Sequence, residues 1–180
     1  MSIIEEPFQR VVIDLVGPLP VTSGRREYII TMVDVATRWA EATPLRRTTA
    51  KDLADALFDI FTRVGFPQEI QSDRGQQFMS TLLKEFNAMS NIKHYFSTPY
   101  HPQTNGIVER FHSTIKNMLK KVCEQCPSDW HKYLAATLFA YRQQVHSSTG
   151  VFSALFFIWQ STKRTHGNFT RPLHQQRLVS

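Results

Sequence analysis

The sequence predicts an α/β domain built on a five-stranded mixed sheet flanked by helices. Five short segments are enriched in β-branched and aromatic residues, and longer segments between and after them carry apolar residues at helical spacing. Their order, βββαβαβαα, starts with hairpin-linked neighbours and continues through helical crossovers, which is the pattern of a mixed sheet.

Val11–Val16 is an apolar run closed by Gly17-Pro18 and reads as a buried strand. Glu27–Val33 and Arg38–Thr43 read as its hairpin-linked neighbours, with Asp34 through Thr37 as the turn. Thr49 can cap a helix whose core face is Leu53, Leu57, Ile60, Phe61 and Val64, and Gly65 stops it ahead of Pro67. Gln68–Gln71 is a fourth strand that delivers Asp73 just beyond its end. Ser80 to Met89 reads as a helix using Leu82, Leu83, Phe86 and Met89, and Ile92–Phe96 as the fifth strand. Ser97–Asn105, with two prolines and a terminal Asn-Gly, reads as a loop. From Gly106 to about Glu124 the spacing of Val108, Phe111, Ile115, Leu119 and Val122 marks an amphipathic helix. Pro127-Ser128-Asp129 opens a last helix through Trp130, Leu134, Leu138 and Tyr141.

One hundred and eighty residues, 42% of them hydrophobic, suit one packed domain. No apolar run approaches a membrane span, and Met-Ser-Ile-Ile-Glu-Glu does not read as a signal peptide. Two cysteines give no disulfide framework and fit a reducing compartment. The net charge of +6 is unevenly placed. From Trp130 to Ser180 the charged residues are Lys132, Arg142, Lys163, Arg164, Arg171 and Arg177, without one Asp or Glu. Such an end could meet phosphates or could be a solvated tail. Residues 5–160 are expected to form the core and 161–180 a basic, poorly ordered tail.

Asp14, Asp73 and Glu109 stand in apolar-flanked contexts, with 35 residues between the last two. Three carboxylates arriving from distant points of one domain suggest a divalent-metal site, because hard cations prefer oxygen ligands. Taken singly each has a plainer reading. Asp14 could cap a strand, Asp73 make an Asx-turn with Arg74-Gly75, and Glu109 sit in a helix first turn favoured by the dipole. Beyond Glu109, Lys116 lies two turns along the same helix face and Lys120 one turn further, with Arg110 adjacent. That is either a solvated face or one that tracks a nucleic-acid backbone. Cys123-Glu-Gln-Cys126 has the spacing of half a zinc site, with His112 and His131 nearby, but only one such pair exists.

The strings Val11-Val12-Ile13-Asp14-Leu15-Val16-Gly17-Pro18, Gln71-Ser72-Asp73-Arg74-Gly75 and Tyr100-His101-Pro102-Gln103-Thr104-Asn105-Gly106-Ile107-Val108-Glu109-Arg110 resemble the catalytic core of retroviral-type integrases, most closely the gypsy-type LTR-retrotransposon branch. The resemblance runs from about Phe8 to Gly150. It implies a ribonuclease-H-like fold and polynucleotidyl transfer on DNA, with Asp14, Asp73 and Glu109 holding two Mg²⁺ or Mn²⁺ ions. It makes Lys116 the lysine that binds DNA ends. The loop carrying Gln103, Thr104 and Asn105 becomes a mobile active-site loop that contacts the strand near the cut, with Gly106 giving it freedom to close. DNA, both element ends and target, would be the partner, in a homodimer or higher assembly of the nucleus or a cytoplasmic pre-integration particle. After Gly150 the family usually continues Ser-Pro-Phe and a Tyr-Gly, whereas this chain reads Val-Phe-Ser-Ala-Leu-Phe-Phe-Ile-Trp-Gln. Two rivals follow: a domesticated or fossil core that binds nucleic acid or protein without turnover, and a ribonuclease-H nuclease. The nuclease class uses four carboxylates, for which Asp34 and Glu41 are the spare acids.

Overall fold

The computed structural model describes residues 6–97, 102–124, 126–146, 149–150 and 152–154, without the side chains of 102–105. The expected tail over 161–180 therefore lies outside the described residues.

Strands β1 (Arg10–Val16), β2 (Tyr28–Asp34) and β3 (Ala40–Leu45) form an antiparallel meander. Helix α1 (Ala50–Val64) crosses to β4 (Glu69–Ser72), and α2 (Thr81–Met89) crosses to β5 (Lys93–Phe96). Both later strands add in parallel, giving the order β3-β2-β1-β4-β5 with β1 at the centre. Helix α3 (Pro102–Val122), a 3-10 turn (Pro127–Asp129) and α4 (Trp130–Arg142) follow. Among the described residues no helix is long and apolar enough to cross a membrane.

Period-two alternation along the strands feeds two cores. Val11, Ile13, Ile30 and Met32 face α1 and α2, where Leu53, Leu57, Ile60 and Leu83 meet them. Val16, Ile29 and Val33 face the other way, against Phe111, Ile115 and Leu119 of α3 and Trp130, Leu134 and Leu138 of α4. The sheet is thus sandwiched between helical layers, and Asp14, in step with Val16, belongs to the α3 side.

The structure moves several expected boundaries. β3 begins at Ala40 rather than Arg38 and runs through Pro44, which pairs with Ile29. Pro is tolerated there because β3 is an edge strand whose outer side needs no N–H. Pro102–Asn105 is helical, not loop. Proline's fixed φ and missing donor suit the first helical turn, where the N–H would have no partner. On α2 the buried residues are Leu83 and Asn87, while Leu82 is 44% and Met89 90% exposed. On α3 Val122 is exposed and Cys123 takes the buried place.

The spare acids are structural. Asp34 is fully buried and accepts from the Phe8 N–H (3.2 Å), the Thr37 N–H (3.0 Å) and the Thr37 hydroxyl (2.6 Å), closing the β2–β3 turn. Burial holds its carboxyl above the usual range. Glu41 accepts from Arg142 Nη2 (2.5 Å) and Trp39 Nε1 (3.0 Å), and Arg63 Nη2 lies 3.4 Å from its other oxygen. Both acids are committed to fastening β2, β3, α1 and α4, which removes the fourth carboxylate that a ribonuclease-H reading needs.

Candidate active site

Asp14 and Asp73 arrive by the same register. The parallel ladder between β1 and β4 pairs Arg10 with Glu69, Val11 with Ile70 and Val12 with Gln71, then stops. Each aspartate lies two residues past the last rung on its strand, so the continued register sets Asp14 opposite Asp73. The first rung carries an attractive pair, Arg10 Nε to Glu69 Oε2 at 2.9 Å, between residues 59 apart. The frayed end carries a repulsive pair with the same separation. Like charges facing each other across neighbouring strands destabilise a sheet.

Asp14 feels that arrangement. Its carboxyl is pushed up to about 6, first by burial and also by Asp73, against the Leu15 N–H (2.8 Å to Oδ1) and Lys116, which pull it down. Asp73 is exposed, and its Oδ1 accepts the Gly75 N–H at 2.9 Å, the Asx-turn expected of Asp73-Arg74-Gly75. The turn aims the acid; it does not compete with a second role, because Oδ2 is not used in it.

Each aspartate is backed by a hydroxyl and a histidine. Thr31, opposite Asp14 on β2, donates its hydroxyl to the Asp14 carbonyl at 2.9 Å and meets His112 Nε2 at 2.9 Å. His112 Nδ1 stands 3.7 Å from Asp14 Oδ2. Burial, with Lys116 second, depresses the imidazole to about 4, so it is neutral at pH 7. Asp73 has a parallel support: the Ser72 hydroxyl donates to the Asp73 carbonyl at 2.8 Å and meets His94 Nε2 at 2.9 Å. The signals were present but weak. Thr31 is the one polar residue inside Tyr-Ile-Ile-Thr-Met-Val, and His112 follows Glu109 by three, the spacing of helix neighbours.

Glu109 is exposed in the first half of α3. Among the described residues, no three His, Cys, Asp or Glu side chains converge closely enough to hold a metal ion, so Glu109 does not close a cluster with the two aspartates. Lys116 is exposed and acts on both Asp14 and His112. Lys116 and Lys120 line a groove of about 750 Å³ together with Val16, Ile29, Ile115 and Trp130. Arg110 is exposed and turns back over Gly106, within electrostatic range of Tyr141. The side chains of Gln103, Thr104 and Asn105 lie outside the described residues. Cys123 is buried against the α4 layer and Cys126 is exposed.

Comparisons with known proteins bear on the family and the fold. Residues 4–102, more than half of the chain, match the family described as integrase core domain. The chain belongs to the integrase core domain family. It is 30% identical over 145 residues to the retrovirus-related Pol polyprotein from transposon 412 of Drosophila melanogaster, covering 78% of this chain and 12% of the polyprotein. It is 33% identical over 135 residues to the Pro-Pol polyprotein of feline foamy virus, with 75% and 12% covered. With the gypsy retrotransposon integrase-like protein 1 of Bos taurus it shares 32% identity over 138 residues, 77% of this chain and 28% of that one. The chain thus spans about an eighth of the length of the polyproteins it matches.

Among solved structures, the HTLV-2 integrase catalytic core domain in complex with magnesium superposes with TM-score 0.70 at 22% identity, covering 83% of this chain and 96% of that one. The BIV integrase catalytic core gives TM-score 0.72 at 18% identity, with 87% and 98% covered. The ribonuclease-H-like fold of a retroviral and retrotransposon integrase core is therefore this chain's fold. The matched segment ends before Glu109, so the third acid rests on its motif and on its place in α3.

Proposed function

We propose that this integrase core performs two-metal polynucleotidyl transfer on DNA, nicking 3′ ends and joining them to a target strand. The observation that carries the reading is the Asp14–Asp73 register. Two carboxylates set opposite one another at the frayed end of a ladder, one of them pushed up to about 6, form a donor set that a hard cation relieves. Asp14, whose Oδ2 the Leu15 N–H leaves uncommitted, and Asp73 would hold the ions, with Glu109 brought in from α3 as the third carboxylate. When bound, two Mg²⁺ or Mn²⁺ ions supply the positive charge against which a transferring phosphoryl group develops its own. The chain then has only to fix geometry, with no protein nucleophile.

Lys116 and Lys120, on the helix that begins at the site, hold the DNA backbone along the groove beside it. Arg110, Gln103 and Asn105 are assigned to the strand near the cut, as part of the same reading. A homodimer or higher assembly belongs to the same reading. The setting would be nuclear, or a cytoplasmic particle on its way there.

The test is nicking and strand transfer on a labelled branched DNA with Mg²⁺ or Mn²⁺, comparing the chain with Glu109→Gln. Products from the chain and none from the variant are expected. Equal activity in both removes Glu109 from the mechanism. No activity in either, with folding and metal binding intact, leaves a nucleic-acid-binding module.

A further inference from the structure

The Thr31 hydroxyl has one proton, and it is donated to the Asp14 carbonyl. Its 2.9 Å contact with His112 Nε2 must then be an N–H donated by the ring. A neutral imidazole with its proton on Nε2 presents a bare lone pair at Nδ1. That lone pair stands 3.7 Å from Asp14 Oδ2, the oxygen that the Leu15 N–H does not use. Two acceptors facing each other at this distance have no hydrogen between them. Donors sharing one ion, each about 2.1 Å from it, sit roughly 3–3.5 Å apart, so both atoms reach a common cation with a shift of well under 1 Å.

We propose that His112 is a ligand, through Nδ1, of the divalent cation held at Asp14. The inference rests on the metal reading above and adds a ligand to it.

Three further features support it. A metal-binding histidine is held by donating its other N–H to a fixed acceptor, and Thr31 is that acceptor, itself anchored on the strand carrying Asp14's partner residues. The His112 side chain is only 14% exposed, so the ring is not free to turn away. Imidazole nitrogen suits transition metals, whereas Mg²⁺ keeps to oxygen. The groups facing His112 are Thr31 from β2, Asp14 from β1 and Lys116 from its own helix. Only the lysine opposes a cation, and its long stem lets the ammonium swing to a phosphate.

Pulsed EPR of the chain with Mn²⁺ reads the bond directly, because a directly bound imidazole nitrogen couples to the electron spin. The chain is measured at natural abundance and with ¹⁵N-histidine, alongside His112→Asn and His112→Ala. Nitrogen coupling in the chain, altered by the isotope and lost in either folded variant, is the expected result. Bound Mn²⁺ without nitrogen coupling, or coupling that survives in the variants, overturns the ligand and leaves the carboxylate reading standing. A spectrum of free aqueous Mn²⁺ throughout overturns both.

Discussion

Removing Arg142 should strand a charge inside the protein. Its guanidinium donates through Nε (2.9 Å) and Nη2 (2.6 Å) to the Ala40 carbonyl, reaches Glu41 Oε1 at 2.5 Å, and lies 4.1 Å from the Trp39 ring centroid. The two charged side chains are 18% and 10% exposed. Arg142→Met leaves Glu41 with the Trp39 N–H and a 3.4 Å contact to Arg63, whose side chain is 48% exposed and already paired with Asp59. Breaking a buried pair from one side costs about 3–5 kcal/mol, because the remaining charge keeps its desolvation penalty. Arg63 offsets part of that, and the lost contact with Trp39 adds about 0.5–1 kcal/mol. A loss of about 3–4 kcal/mol is expected, a large share of a typical domain's stability. In urea unfolding with m of about 2 kcal/mol/M, the midpoint falls by about 1.5–2 M. Adding Glu41→Gln to Arg142→Met should restore at least half, since it removes the stranded charge. A single-variant loss below about 1 kcal/mol, the range of exposed pairs, would refute the reasoning. So would a double variant no more stable than Arg142→Met.

Three other outcomes are expected. The Asp14 carboxyl is raised in the fold from 3.8 to about 6, so its contribution to stability is full below pH 3.8 and is lost as pH rises through 6. Metal-free Asp14→Asn should therefore unfold later than the unmodified chain at pH 7.5, by about 1–2 kcal/mol after allowance for its partial exposure, with the difference gone near pH 4. A variant less stable at pH 7.5 contradicts the assignment. Leu83→Ala, at a fully buried position on α2, should cost about 2–5 kcal/mol in denaturant unfolding, whereas Met89→Ala should stay within about 0.5 kcal/mol. Comparable losses would mean α2 docks by another face. Lys116→Ala should weaken DNA binding and reduce the slope of log affinity against log salt by about 1, and an unchanged slope removes that lysine from the phosphate contacts.

The sheet was legible because each strand has its own chemical signature. Val11–Val16 and Tyr-Ile-Ile-Thr-Met-Val offer little but burial, and β1 through β5 fall within two residues of expectation. Legibility failed where one residue type has two local meanings. Pro102 reads as a loop marker and serves as the start of α3. Leu82 and Met89 have helical spacing, yet the α2 core face is set by how the helix docks on β5, and Asn87 is buried in their place. At the site, the nearness of Asp14 and Asp73 followed from putting β1 beside β4. The Thr31–His112 contact did not, because it joins residues 81 apart and depends on which face of α3 meets β2.

The shared register of Asp14 and Asp73 divides the chain by its tolerance to changes of length. One residue inserted between Arg10 and Asp14, or between Glu69 and Asp73, turns that acid to the opposite side of the sheet, into the layer of Leu53 and Leu57. The turn at 23–25 and the connection 46–48, ahead of the Thr49 cap, lie outside the paired strands and can lengthen without moving either carboxylate. A reader comparing many such chains should therefore find gaps gathered in those connections and none within the two four-residue steps that lead from the Arg10–Glu69 clasp to the acids.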